Sequence, residues 1–322
     1  MALLHDRRSR VLVALVALGL VAGVTGGTYA AFSSTTSNGS NTFGVKADYE
    51  APTVVRSEIA RTTATAGGRI RANVAYYVYA QITDGGNPAS GVNAATANVC
   101  NITTATCASV ALVSGSYTVS GLTYNYRSGP KTSNVGLTAG SKTYTVTTAD
   151  VAGNAGGAVS FSVVVDGTAP GGSNVQTANA SGGTAGRAEA NDTIMITFSE
   201  AMDPASILAG WAGASTTRTV AFTNAGCGAN DRVTITGTNL GMICLGGGGY
   251  VAANRTFTSS SMVLSPGGTT VTITLGTPSA VIGTQVGSTT MTWTPSASAL
   301  DVAGNACSAT VVTEGGGADV EF

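Results

Sequence analysis

Beyond residue 5 this chain has no histidine; His5 is the only one in 322 residues. A Ser-His-Asp triad, a Cys-His pair and a His-ligated zinc site each need an imidazole as base or ligand, so residues 6–322 fit none of them. Charge is scarce as well, at 10% of residues, and no basic stripe is present to neutralise phosphates, which argues against nucleic acid as a partner. The longest apolar run, Val11 to Val24, has 14 residues, short of the roughly 20 that a membrane-spanning helix needs. Helix formers are sparse beyond that run. In their place stand 44 glycines and an excess of Thr, Ser, Val and Ala. Val and Thr suit a pleated, half-buried surface, and Gly supplies the positive φ angles of tight turns, so the composition predicts an all-β fold. Runs such as Val74 to Ile82 and Val159 to Val165 are too apolar for a disordered chain.

Arg7, Arg8 and Arg10 precede the apolar run, and the small residues Thr28 and Ala30 follow it. This order reads as a signal peptide over residues 1–30, cut between Ala30 and Ala31 or one residue later, rather than a permanent membrane helix. The Arg7-Arg8 pair lacks the flanks of a twin-arginine signal. Cleavage leaves 12 basic and 15 acidic residues, no stable membrane span and a secreted, extracellular or cell-surface protein. Residues 31–50 are polar and read as a tether. Residues 315–322 show no sorting motif or hydrophobic tail, so release or non-covalent retention is expected.

Export favours oxidised cysteines. Cys100 and Cys107 enclose a short segment and are expected to pair, which contributes about 2.5 kcal/mol by the chain-entropy relation. Of the remaining three, Cys227 with Cys244 is the local choice, while Cys307 is an alternative partner for either. The thiol left over reads as buried or unpaired before it reads as a nucleophile, because no His is near to activate it.

The most informative pattern is a repeat. Asp150-Val151-Ala152-Gly153-Asn154-Ala155 recurs letter for letter as Asp301 to Ala306, each copy following an alternating strand-like run. Asp48-Tyr49-Glu50-Ala51-Pro52 is echoed by Asp166-Gly167-Thr168-Ala169-Pro170. Together they divide the chain into two modules, residues 51–170 and 171–322, each a β-sandwich. In the first, strands are expected from Val54, over Val74 to Ile82, Ala97 to Ile102, Val110 to Val113, Tyr117 to Tyr126, Lys142 to Thr148 and Val159 to Val165, with a turn at Asp84 to Pro88. In the second, late strands are expected over Arg255 to Leu264, Thr269 to Leu275, Thr289 to Trp293 and Ser308 to Thr313.

Three resemblances follow from these residues. Gly26-Gly27-Thr28-Tyr29-Ala30-Ala31-Phe32-Ser33-Ser34, with Asn38 to Phe43, resembles the SipW-dependent signal-peptide class of Gram-positive matrix proteins, which implies the export route. The Asp84 loop, the strand Tyr144 to Asp150, the Ala152-Gly153-Asn154 corner and the trailing valine-rich strand resemble a bacterial Ig-like domain over residues 51–170. Asp192 to Ile207, with Phe198-Ser199-Glu200 and Asp203-Pro204, resembles the opening of the SbsA-type Ig-like domain of envelope proteins, and Ala299 to Asn305 matches its closing corner. Behind Asp203 as cap, Pro204 takes the first position of a short helix.

Asp150, Gly153 and Asn154, and their copies Asp301, Gly304 and Asn305, make a tight corner without any ion; the alternative is calcium held by Asp150, Asn154, Asp166 and Asp84 at the joint between modules. Glu200 and Asp203 are a carboxylate pair of the kind glycosidases use, but their spacing at a helix start favours capping. The tetraglycine Gly246 to Gly249 lacks the Lys-Ser or Lys-Thr of a phosphate loop and reads as a flexible insertion. Trp211 and Trp293 are a sugar-stacking platform or core, with core preferred. The resulting expectation is a non-enzymatic envelope or matrix protein without cofactor, its partners other surface proteins or glycans. The alternative is a carbohydrate-binding or calcium-responsive module.

Overall fold

The computed structural model describes residues 48–322 and the backbone of β1 (Ser37–Asn38) and β2 (Asn41–Thr42), which pair antiparallel. The expected signal peptide, its Ala30/Ala31 cleavage point and most of the expected tether lie outside the described residues. No described helix is long and apolar enough to cross a membrane.

The fold is all-β and forms two sandwiches. The first contains β3 (Thr53–Arg61), β4 (Arg69–Ile70), β5 (Ala75–Thr83), β6 (Val92–Asn98), β7 (Val110–Val119), β8 (Leu122–Ser128), β9 (Lys131–Thr132), β10 (Gly140–Asp150) and β11 (Ala155–Val165). They hydrogen-bond in the order β3-β5-β8-β7-β6-β10-β11-β4, with β9 on β5. Strand β7 changes partner along its length: Val110 and Ala111 pair with β6, and Leu112 to Val119 pair with β8. The path is therefore two sheets that share β7. β3-β5-β8-β7 faces β6-β10-β11, which is the A-B-E-D and C-F-G order of the immunoglobulin sandwich. Residues of both sheets, among them Val54, Tyr76, Val78, Ala97, Tyr144, Val146 and Val163, fill one core.

Period-two patterning accounts for this core. On β5 the alternate residues Tyr76, Val78, Ala80 and Ile82 are all buried. On β10 the same alternation runs through Tyr144, Val146 and Thr148 and delivers Asp150, 1% exposed, to the inner end of the strand. A smaller cluster of Ala60, Tyr79, Val119 and Tyr124 covers the other side of β5, with the Arg127 guanidinium over the rings of Tyr77 and Tyr117.

In the first sandwich two expected strands run differently, and in the second only Val312–Thr313 of the expected Ser308 to Thr313 strand is paired. Tyr117 to Tyr126 is not one strand but a hairpin, because Ser120 and Gly121 take φ of 52° and 71°, the positive pair of a two-residue type I′ turn. The third strand starts five residues earlier than expected, at Val92, and stops at Asn98; beyond it the chain turns back, Ile102 and Thr103 both bonding the Val99 carbonyl.

The second sandwich contains β12 (Gly172–Ala178), β13 (Thr193–Phe198), α1 (Pro204–Ile207), β14 (Thr216–Cys227), β15 (Asn230–Ile235), β16 (Met242–Cys244), β17 (Arg255–Leu264), β18 (Thr270–Thr274), β19 (Thr277–Pro278), β20 (Thr292–Thr294) and β21 (Val312–Thr313). Their order is β12-β13-β18-β17-β14-β15-β16-β20-β21, with β19 on β17. Gly172 of β12 lies against Trp293 and Val312, so the first strand of the path meets the last two. The core runs from Val175 to Phe322 and shares no buried residue with the first sandwich.

The glycine tract is corrected as well. Gly246 sits against the Thr290 backbone, Asp231 N–H donates to the Gly247 carbonyl at 2.8 Å, and Gly249 N–H donates to Gln285 Oε1 at 2.8 Å. Leu245 and Tyr250 on either side are fully buried. The tract is a close-packed crossing where side chains would not fit, not a flexible insertion.

Candidate functional site

The repeated corner has the same construction in both sandwiches. Asp150 accepts from Asn154 N–H at 2.7 Å and Asn154 Nδ2 at 2.6 Å; Asp301 accepts from Asn305 N–H at 2.7 Å and Asn305 Nδ2 at 2.8 Å. Gly153 and Gly304 take φ of 87° and 97°, which only glycine adopts at no cost. The asparagine amide then reaches the segment that leads into its own sandwich: Asn154 Nδ2 donates to the Asp48 carbonyl at 3.0 Å and Asn305 Nδ2 to the Asp166 carbonyl at 3.1 Å. The two sequence echoes are thus halves of one fastening, which ties the late corner of each sandwich to its opening Asp-x-x-Ala-Pro segment.

Each fastening gathers three carboxylates within 4.8 Å, Asp48-Asp84-Asp150 in the first sandwich and Asp166-Glu200-Asp301 in the second. The expected calcium set is therefore corrected. Asp84 and Asp150 do meet, but with Asp48, while Asp166 belongs to the other triad. Most of these oxygens already have partners. Asp48 accepts from Glu50 N–H and Ser90 N–H, which hold its carboxyl below the usual range, and Asp166 accepts from Thr168 N–H and Arg69. Burial first, and then the charges of Asp166 and Asp301, raise Glu200.

The second corner also receives the first sandwich. Arg61, 4% exposed at the end of β3, donates to Asp203 Oδ2 at 2.6 Å and to the Val302 carbonyl at 3.0 Å. Arg71 donates to the Gly304 carbonyl at 3.0 Å, and Arg69 pairs with Asp166 at 2.9 Å. Thr65 adds a hydroxyl bond to Asp203 Oδ1. Asp203 itself caps α1, accepting from Ala205 N–H ahead of Pro204 at the first helical position. Its carboxylate therefore serves a helix cap and an ion pair, and Glu200 faces a different cluster, so the two do not form a glycosidase pair. A Cβ on Gly304 would come within 2.8 Å of Arg61 Cδ. Gly304→Ala is expected to cost about 1–3 kcal/mol from the positive φ and this collision, against about 1 for Gly153→Ala, measured by urea unfolding.

Arg61, Arg69 and Arg71 were missed in the sequence. The signal was available, since three of the chain's fifteen basic residues fall in one short stretch, yet nothing in that spacing points to a distant backbone carbonyl.

The cysteines are bonded as Cys100–Cys107 and Cys227–Cys244, and Cys307 is free and buried. The second bridge closes a longer loop, worth about 3 kcal/mol by the same entropy relation. Burial, and then the charge of Glu200, push the Cys307 thiol up to about 11. At pH 8 only about 0.1% is thiolate, so iodoacetamide is expected to leave Cys307 unmodified in the native protein and to label it after unfolding. Rapid native labelling, followed by mass spectrometry, contradicts this. Trp293 and Trp211, 0% and 6% exposed, donate their indole N–H groups to the Leu240 and Ala214 carbonyls; both belong to the core, not to a sugar platform.

No protein-family model matches the chain, and no curated protein matches it.

Proposed function

We propose that the chain is an exported, non-catalytic structural or adhesive protein of the bacterial envelope or matrix, built from Ig-like modules of which the second is of SbsA type. The observation that carries this reading is the joint. Arg61 and Arg71 on the corner at Asp301 to Asn305 join one sandwich to the next rather than lining a cleft. A stiffened tandem suits a protein that holds loops and sheet edges away from a surface to meet other envelope proteins or glycans. Fractionation of the source cells tests it: recovery in medium or wall supports the reading, and recovery in the cytosol overturns it.

The paired acidic triads favour a second reading, a calcium-responsive module. Its test is the melting temperature of the chelated protein against added calcium, with Asp84→Asn/Glu200→Gln as the control variant. A rise that the variant loses supports it.

A further inference from the structure

A third acidic cluster lies away from both corners. Glu314, Asp319 and Glu321 place carboxylate oxygens within 4.8 Å of one another. Glu314 is 6% exposed and Glu321 1%. One oxygen of each is already used: Glu314 Oε1 accepts from Met291 N–H at 2.9 Å, and Glu321 Oε2 from the Thr177 hydroxyl at 2.7 Å. The other two, Glu314 Oε2 and Glu321 Oε1, are buried and accept from no N–H or hydroxyl donor, and the two carboxyl groups face each other. Among the described residues, no lysine or arginine forms an ion pair with any of the three.

Buried carboxylates without a countercharge are costly, and three whose oxygens lie within 4.8 Å repel one another when ionised. Two oxygens bound to one calcium ion at 2.3–2.6 Å sit no more than about 5 Å apart, which matches this cluster. All the donors are hard oxygens, with no nitrogen or sulfur among them, as calcium prefers. Asp319 is exposed, so water can complete the shell and the ion has a way in.

We propose that Glu314, Asp319 and Glu321 form a calcium site that clamps residues 319–322 onto the second sandwich. The clamp has something to hold. Asp319 exchanges two backbone hydrogen bonds with Thr289, Phe322 N–H donates to the Thr177 hydroxyl at 3.1 Å, and the Phe322 ring packs on Phe222 and Tyr250. Calcium offsets the repulsion among the three carboxylates and so favours this docked arrangement. The site is separate from the corner triads and does not depend on the function proposed above.

The test is amide exchange and thermal melting of the full chain, stripped with chelator and then titrated with calcium chloride. At about a hundredfold excess over Kd the melting temperature rises by about 5–10 °C. Exchange at Thr289, Asp319 and Phe322 slows at least about tenfold. Glu314→Gln/Glu321→Gln loses both effects and, in chelator, melts no lower than wild type. The exposed Asp319→Asn variant, whose folding is not at issue, weakens the calcium effect at least about tenfold, and Asp84→Asn/Glu200→Gln leaves the local slowing intact. The proposal is overturned if these three amides do not respond up to about 10 mM calcium, well above the affinities of extracellular calcium modules. It is equally overturned if the double Gln or the Asp319→Asn variant retains the full response.

Discussion

Arg61→Ala is expected to destabilise the protein by about 3–5 kcal/mol, among the largest effects of any single substitution in the chain. Arg61 is buried, and its removal strands the Asp203 carboxylate, 2% exposed, without its cation and the Val302 carbonyl without its donor. Arg61→Lys recovers little, because one ammonium on a flexible stem does not reproduce a planar fork that serves Asp203, Val302 and Thr63 at once. Arg61→Met/Asp203→Asn recovers most of the loss, since Asn keeps the cap on Ala205 and no unpaired charge stays buried. Urea unfolding of the four proteins measures this. A loss below about 1 kcal/mol for Arg61→Ala means that the pair is solvated and the joint weak.

Trp293→Ala is expected to cost a similar amount, about 3–5 kcal/mol. The ring is fully buried on β20, packs edge-to-face on Phe198 at 5.0 Å and donates its N–H to the Leu240 carbonyl at 2.7 Å. It also lies directly against Gly172, where β12 meets β20. Truncation opens a cavity at the contact that brings the first and last strands of the second sandwich together. Trp293→Phe keeps an aromatic partner for Phe198 but leaves the Leu240 carbonyl without a donor, for an expected loss of about 1–3 kcal/mol. Equal losses for the two variants would mean that the hydrogen bond, not the packing, carries the effect.

Much of this architecture was readable from residue patterns. The alternation on β5 and β10, the helix start at Asp203-Pro204 and the repeated corner are local signals, and each has a local cause: period-two burial, a capping carboxylate, a left-handed glycine. What escaped was set by distant contacts. Tyr117 to Tyr126 alternates well enough for one strand, and Ser120-Gly121 is a weaker turn signal than Asn-Gly, so the hairpin went unread. The glycine tract looked loose because its need for glycine arises from Thr290 and Gln285, some forty residues away. Asp48 and Asp166 were visible as boundary marks, but their role as anchors for Asn154 and Asn305 depends on the sandwich closing on itself. Arg61 belongs with these, since its partners lie in the other module.

The corner at Asp301 to Asn305, which receives Arg61 and Arg71 from the first sandwich, is expected to couple two separately cored sandwiches into one cooperative unit. Scanning calorimetry of the wild-type protein beside Arg61→Ala/Arg71→Ala tests it most directly. One cooperative transition in wild type, with calorimetric and van't Hoff enthalpies in agreement, and two resolved transitions in the variant are the expected results. Two independent transitions already present in wild type, and unmoved by the substitutions, would contradict it.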